Sequence, residues 1–159
     1  MQTVNNSFNY VVVSCSDGLS LAELRLRDAA IVAAKGAYAP YSNFFVGAAV
    51  LLNDDTIVVG NNQENGAYPS GLCAERVAIF SAHALYPKKK ILQMAIVAMV
   101  DNKITVNPIT PCGGCRQVLL ESANRQKMPF KLLLVGREEN IRIDDASSLM
   151  PLPFKFEKE

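Results

Sequence analysis

The segment Pro111-Cys112-Gly113-Gly114-Cys115 places two thiols three residues apart. At the start of a helix that spacing puts both sulfurs on one side, where unpaired backbone N–H groups carry partial positive charge and favour thiolates. Alone, the pair fits a redox couple, half of a structural zinc site or part of a catalytic metal site equally well. A second segment, Cys73-Ala74-Glu75-Arg76, adds a third thiol, also at a helix start. Two helix N-termini can converge on one cation and offer it three sulfurs. Zinc takes four protein ligands in structural sites, but three plus water in catalytic ones. The remaining cysteine, Cys15, lies in the N-terminal arm. The single histidine, His83, sits about 15 Å along the same helix from Cys73. His83 is therefore expected at the surface or on a helix face, away from the metal, and the fourth metal position is expected to be left for water.

A carboxylate beside such a site can take a proton from activated water and later deliver it to a ring nitrogen and a leaving amine. Glu75 is the candidate. Residues two apart diverge on a regular helix, so Cys73 must occupy the entry turn if it and Glu75 are to reach one site. Without the cysteines, Glu75 reads as a first-turn carboxylate that favours the helix dipole. Arg76 addresses a charge problem. Zinc with three thiolates is net negative, which opposes ionisation of water, and a guanidinium bonded to a sulfur drains charge from the metal. The plain alternative for Arg76 is an exposed helix arginine.

These residues need elements to hold them. Residues 8–14 read as a short strand or a surface arm. Ser20 and Glu23 have capping-box spacing, and an amphipathic helix follows from Leu21 to about Lys35. Residues 38–43 form a loop. Residues 45–53 and 56–61 read as strands joined at Asp54 and Asp55, and 62–71 as a polar loop. A second helix runs from near Leu72 to about Ala84. The apolar run 91–100 is of buried-strand type. Thr110 and Pro111 read as the N-cap and first position of a third helix, and 131–135 and 141–144 as strands. Alternation of strands and helices implies a layered α/β domain: a three-layer α/β/α sandwich with a mixed central sheet. We expect residues 1–19 as an N-terminal arm and 20–159 as one domain.

Composition narrows the partners. The 159 residues include 16 Lys and Arg against 15 Asp and Glu, a net charge of +1. A nucleic-acid binder shows a basic face, and the only basic run, Lys88-Lys89-Lys90, reads as a solvated loop after a helix. No nucleic-acid partner is expected, and a small, weakly charged ligand is. No apolar run approaches the roughly 18 residues that span a bilayer, and the N-terminus does not read as a signal peptide. The expected compartment is the cytosol, where cysteines more often bind metal or do chemistry than form disulfides.

The segments Cys73-Ala74-Glu75-Arg76 and Pro111-Cys112-Gly113-Gly114-Cys115-Arg116-Gln117 closely resemble the cytidine deaminases in their small-subunit, three-cysteine form. The resemblance runs from about residue 22 to Phe154. It includes Ala39-Pro40-Tyr41-Ser42-Asn43-Phe44, Val46-Gly47-Ala48-Ala49, Asn62-Gln63-Glu64-Asn65 and Tyr68-Pro69. It implies that Cys73, Cys112 and Cys115 bind one zinc ion per subunit and that Glu75 shuttles protons. Asn62 and Glu64 would hold the ribose hydroxyls, as an amide that both donates and accepts and a carboxylate that accepts; the carboxylate would also repel phosphates. The backbone near Ala74 would face the water or the base amide, and Phe44 would lie against the pyrimidine. The family's small form is a homotetramer in which a C-terminal phenylalanine reaches a neighbour's site, a position that Phe154 matches. The reaction implied is attack of zinc-bound hydroxide on C4 of free cytidine and deoxycytidine, giving uridine and deoxyuridine in pyrimidine salvage. Phe45, Gly66 and Ser70 depart from the usual pattern, and the first twenty residues have no clear counterpart.

Three other readings share parts of this pattern. A deaminase of a cytosine-bearing antibiotic of the blasticidin S type would keep the metal site and change the sugar pocket. An RNA or DNA base editor would carry histidine in place of Cys73 and a basic track. A structural zinc module would close the site with Cys15.

Overall fold

The apolar run 91–100 becomes the middle strand of the molecule. A computed structural model describes residues 1–5, 7–14, 18–154 and 156. In it β4 (Ile91–Val100) is buried from Gln93 through Met99. A strand apolar on both faces needs neighbours in its plane and cover above and below. On one side it pairs antiparallel with β2 (Phe45–Leu52), and on the other parallel with β6 (Lys131–Val135). The order across the sheet is β1 (Val11–Ser14), β7 (Glu139–Ile143), β6, β4, β2 and β3 (Ile57–Asn61), with the short β5 (Lys103–Ile104) added to β4. The sheet is mixed because β4 and β6 run parallel while the other pairs are antiparallel. A parallel pair requires a crossover, and α3 (Gly113–Gln126) lies in it.

Helices cover both faces. On one, α1 (Leu21–Lys35) lays Leu26, Ala30 and Ala34 on Ala49, Ala95, Val97 and Leu133. On the other, α2 (Ala74–Leu85) and α3 lay Ala78, Ile79, Leu119 and Ala123 on Ala48, Val50, Met94 and Ile96. This is the expected three-layer α/β/α sandwich. Two glycines let the helices approach closely. A Cβ on Gly47 would lie 2.0 Å from the Ala30 carbonyl oxygen, and one on Gly60 would lie 2.4 Å from the Ala78 nitrogen. Gly60 thereby fixes how deeply the first turns of α2 sit.

The capping box is formed: Ser20 Oγ accepts from the Glu23 N–H, and the Glu23 carboxylate accepts from the Ser20 N–H. Helix starts elsewhere differ from the sequence reading. The second helix begins at Ala74 rather than near Leu72, with Cys73 as N-cap. The third begins at Gly113, with Cys112 as N-cap and Pro111 outside the helix. Cys112 is extended, at φ −67° and ψ 166°, so the turn that Thr110 would have capped is not helical. β5 and the single 3₁₀ turns at Tyr68–Ser70 and Ala146–Leu149 carry too few residues to display a period. The arm contributes β1, which pairs with β7 in register Val11 to Arg142. Among the described residues, no helix is long and apolar enough to cross a membrane.

Candidate active site at two helix N-termini

Cys73 and Cys112 both occupy N-cap positions, and neither side chain caps its helix. An N-cap Ser or Asp would turn its oxygen onto the first-turn N–H groups. Here the sulfurs turn to each other, 4.0 Å apart. Cys115, three residues into α3 and fully buried, completes a group whose sulfurs all lie within 4.8 Å of one another. A tetrahedral zinc ion at about 2.3 Å from each sulfur sets neighbouring sulfurs about 3.8 Å apart, so the three side chains fit that ion with little contraction.

The electrostatics point the same way. The thiol of Cys115 donates to the Cys73 sulfur, and with help from the Arg76 guanidinium it holds Cys73 at about 5 against the cost of burial. Cys115, which gives that hydrogen bond and is buried, is pushed up in return. Binding a dication to the three clustered sulfurs would displace their protons. Arg76 Nη2 lies 3.6 Å from Cys73 Sγ and also donates to the Gly71 carbonyl. Its Nε is buried with no hydrogen-bond partner among the described residues.

Glu75 is the second residue of α2 and 4% exposed. Burial pushes its carboxyl up, only partly offset by a bond from its own backbone N–H. It lines a chamber of about 430 Å³ together with Phe44, Asn62, Glu64, Ala74 and the two N-cap cysteines. An adjoining lobe of about 560 Å³ shares Asn62, Glu64 and Cys73 and adds Tyr41, Tyr68 and Arg76. The base, sugar and proton-transfer candidates therefore meet in one cleft.

Asn62 and Glu64 are held before any ligand arrives. Asn62 Oδ1 accepts from the Val46 N–H at 2.7 Å, and its Nδ2 donates to the Phe44 carbonyl at 2.9 Å. An amide has two N–H groups and two lone pairs on its oxygen, so one of each stays available. Glu64 accepts from the N–H groups of Tyr41 and Ser42 and from the Ser42 hydroxyl. The Ser42 hydroxyl first, then the Tyr41 N–H, hold its carboxyl below the usual range. Ser42 carried no separate role in the sequence reading. The signal available was a serine two residues before Phe44, in a turn at Asn43 with φ 54°.

Other candidates fall elsewhere. Phe154 is exposed, and its carbonyl accepts from Gln117 Nε2 at 3.3 Å. It does not line the chamber of its own chain. His83 lies far along α2 as expected, but is half-buried, with Nε2 3.2 Å from Ser122 Oγ on α3. Cys15 lies outside the described residues.

Residues 22–131 match the family model described as the cytidine and deoxycytidylate deaminase zinc-binding region. The cytidine deaminase of Halalkalibacterium halodurans is 39% identical over 128 residues, 80% of this chain and 90% of that protein. That of Mycobacterium tuberculosis strain H37Rv is 45% identical over 96 residues, 60% of this chain and 68% of that protein. The crystal structure of cytidine deaminase from Burkholderia pseudomallei matches with a TM-score of 0.70 at 38% identity, covering 82% of this chain and 98% of that one. The family match spans all three clustered cysteines, Glu75 and the loops that carry Phe44, Asn62 and Glu64, and the chain therefore belongs to the cytidine and deoxycytidylate deaminase zinc-binding family.

Proposed function

We propose that the chain hydrolytically deaminates free cytidine and deoxycytidine, releasing ammonia and leaving uridine and deoxyuridine. The observation that carries this reading is the chamber in which Glu75, Cys73 and Cys112 of the sulfur group, Phe44, Asn62 and Glu64 converge. Cys73, Cys112 and Cys115 would hold one zinc ion per subunit. When bound, the ion supplies the Lewis acidity that turns water into a nucleophile near neutral pH. Glu75 takes the proton released as water adds to C4 of the pyrimidine and gives it to N3; it then carries the remaining proton of the new C4 hydroxyl to the amine as the C4–N bond breaks, leaving the C4 carbonyl and ammonia. Its place on a buried helix turn keeps it at a fixed distance from the reacting atoms. Arg76 withdraws charge from the Cys73 sulfur. Ala74, at the first position of α2, borders the base. Phe44 packs on the ring, and Asn62 and Glu64 take the sugar hydroxyls.

A spectrophotometric cytidine assay on wild type and Glu75→Gln, with zinc measured in both, tests the reading. Zinc-loaded wild type that leaves cytidine unchanged overturns it. The same reading includes a cytosolic homotetramer acting in pyrimidine salvage, with Phe154 completing a neighbour's site. The exposure of Phe154 in the single chain supports that placement. Deletion of residues 150–159 is expected to impair assembly and activity together, as read by light scattering and turnover; a fully active truncated monomer contradicts it.

A further inference from the structure

The hydroxyl of Ser42 stands between the sugar side and the base side of the cleft. Its Oγ accepts the Phe44 N–H at 3.1 Å and donates to Glu64 Oε1 at 2.5 Å. Asn43, at φ 54°, makes the first bond possible. A left-handed residue, which asparagine tolerates, folds the Phe44 N–H back onto the side chain two residues earlier. With a lone pair committed to Phe44, the one hydroxyl proton is directed at the carboxylate. The other carboxylate oxygen, Oε2, accepts from the N–H groups of Tyr41 at 2.9 Å and Ser42 at 3.3 Å. A carboxylate offers about four acceptor positions. Three are filled from the 41–42 side, and Glu64 lines the chamber that also holds Glu75.

We propose that Ser42 is a positioning residue that aims the remaining acceptor position of Glu64 at the sugar 3′-hydroxyl. The demand for a 3′-hydroxyl is then set by the 41–44 turn and not by Glu64 alone. The same hydroxyl anchors the backbone of Phe44, so the sugar contact and the ring that packs on the base are placed as one unit. This deepens the functional reading above and rests on it.

The test uses the zinc-loaded enzyme, with zinc content measured, and two nucleosides that differ at the sugar: deoxycytidine and 2′,3′-dideoxycytidine. Ser42→Ala is expected to raise KM for deoxycytidine about tenfold more than KM for the dideoxy substrate, the scale of one lost hydrogen bond to a charged group. The change in kcat is expected to be smaller than the change in KM. Ser42→Thr, which keeps the hydroxyl, restores the preference. In a Glu64→Gln background, Ser42→Ala is expected to cause no further loss of preference. Binding of deoxyuridine and 2′,3′-dideoxyuridine by calorimetry follows the same pattern without turnover.

Equal losses on both nucleosides overturn the proposal, because Ser42 would then only hold the loop. An unchanged preference overturns it too. If Ser42→Ala does not fold, Ser42→Cys, a weaker donor of similar size, must show the selective loss for the proposal to stand. An active wild type whose Ser42→Ala variant loses both nucleosides equally, or keeps the wild-type preference, refutes this inference alone. A zinc-loaded wild type inactive on both nucleosides refutes the functional reading, and this inference with it.

Discussion

The two walls of the cleft are built from different material. One consists of the first turns of α2 and α3, backed by Ala74, Ala78, Ile79, Cys115 and Leu119, all fully buried. The other is the pair of loops around residues 39–46 and 61–65, positioned by polar ties. Asn62 clasps the start of β2, Glu64 clasps Tyr41 and Ser42, and the Tyr41 ring meets Tyr68 edge-on at 6.1 Å. Apolar packing resists displacement in every direction, while a hydrogen-bonded loop keeps its place only while each bond is made. In the proposed reading, the groups that must hold a fixed geometry lie on the packed wall, and those that would choose among sugars lie on the tied one. Damage to the first should abolish chemistry; damage to the second should change which substrate is preferred.

The largest effect is expected from Cys115→Ser. It changes a fully buried sulfur that sits within the three-thiol group. Zinc content should fall below stoichiometric and activity should disappear with it, as metal analysis and turnover would register. Retained zinc with retained turnover would break the comparison at its firmest point. Next comes Glu75→Gln, an isostere that removes the proposed proton carrier and leaves the sulfurs intact. The fall in kcat should be about 10²–10⁴-fold, with zinc at wild-type level. A proportionate loss of zinc would instead make Glu75 part of the metal site.

On the tied wall, Asn62→Ala removes two bonds to the backbone of Phe44 and Val46. Leaving those partners to water or to nothing costs about 1–3 kcal/mol. Much of that should appear as an increase in KM for cytidine, with kcat less affected. A kcat collapse equal to that of Glu75→Gln would erase the distinction between the walls.

The sequence made the two walls legible to different degrees. Cys73, Glu75, Cys112 and Cys115 announce themselves because thiols and a carboxylate at helix starts have few other uses together. The α1 boundaries follow from Ser20 and Glu23, whose capping box is a local device. The start of α3 was misplaced because Thr110-Pro111 is itself a good helix opening, and only the tertiary demand that Cys112 reach Cys73 makes residue 112 extended. The inward ties of Asn62 and Glu64 were hidden for a related reason. Their residue types announce polar contacts, but partners sixteen to twenty-three residues away are fixed by the β2–β3 pairing. The close seating of α2 on Gly60 is likewise invisible until the helix is placed against its strand.

A third polar cluster lies away from the cleft and separates stability from catalysis. The Glu23 carboxylate accepts from Arg142 Nε at 2.7 Å and Nη2 at 2.8 Å, and from Gln93 Nε2 at 3.3 Å, tying the start of α1 to β7 and β4. Burial would raise its pKa, but the bonds from Arg142 and Ser20 outweigh burial and lower it from 4.5 to about 2. A carboxylate depressed in the folded state stabilises that state fully above its unfolded pKa, and the contribution is lost as pH falls through the folded value. The contribution of Glu23 should therefore be complete above about pH 5, decline below it, and vanish near pH 2. Glu23→Gln should cost about 2 kcal/mol at neutral pH, the scale of a charged hydrogen-bonded pair with one partner removed. In urea unfolding the gap between variant and wild type should narrow steadily between pH 5 and pH 3, while cytidine turnover at neutral pH and moderate temperature stays near wild type. A gap independent of pH would mean that Glu23 acts through its cap and its packing rather than its charge. A loss of turnover without a loss of stability would mean that the back of the sheet positions the cleft after all, and the division of labour between packed and tied walls would have to include α1.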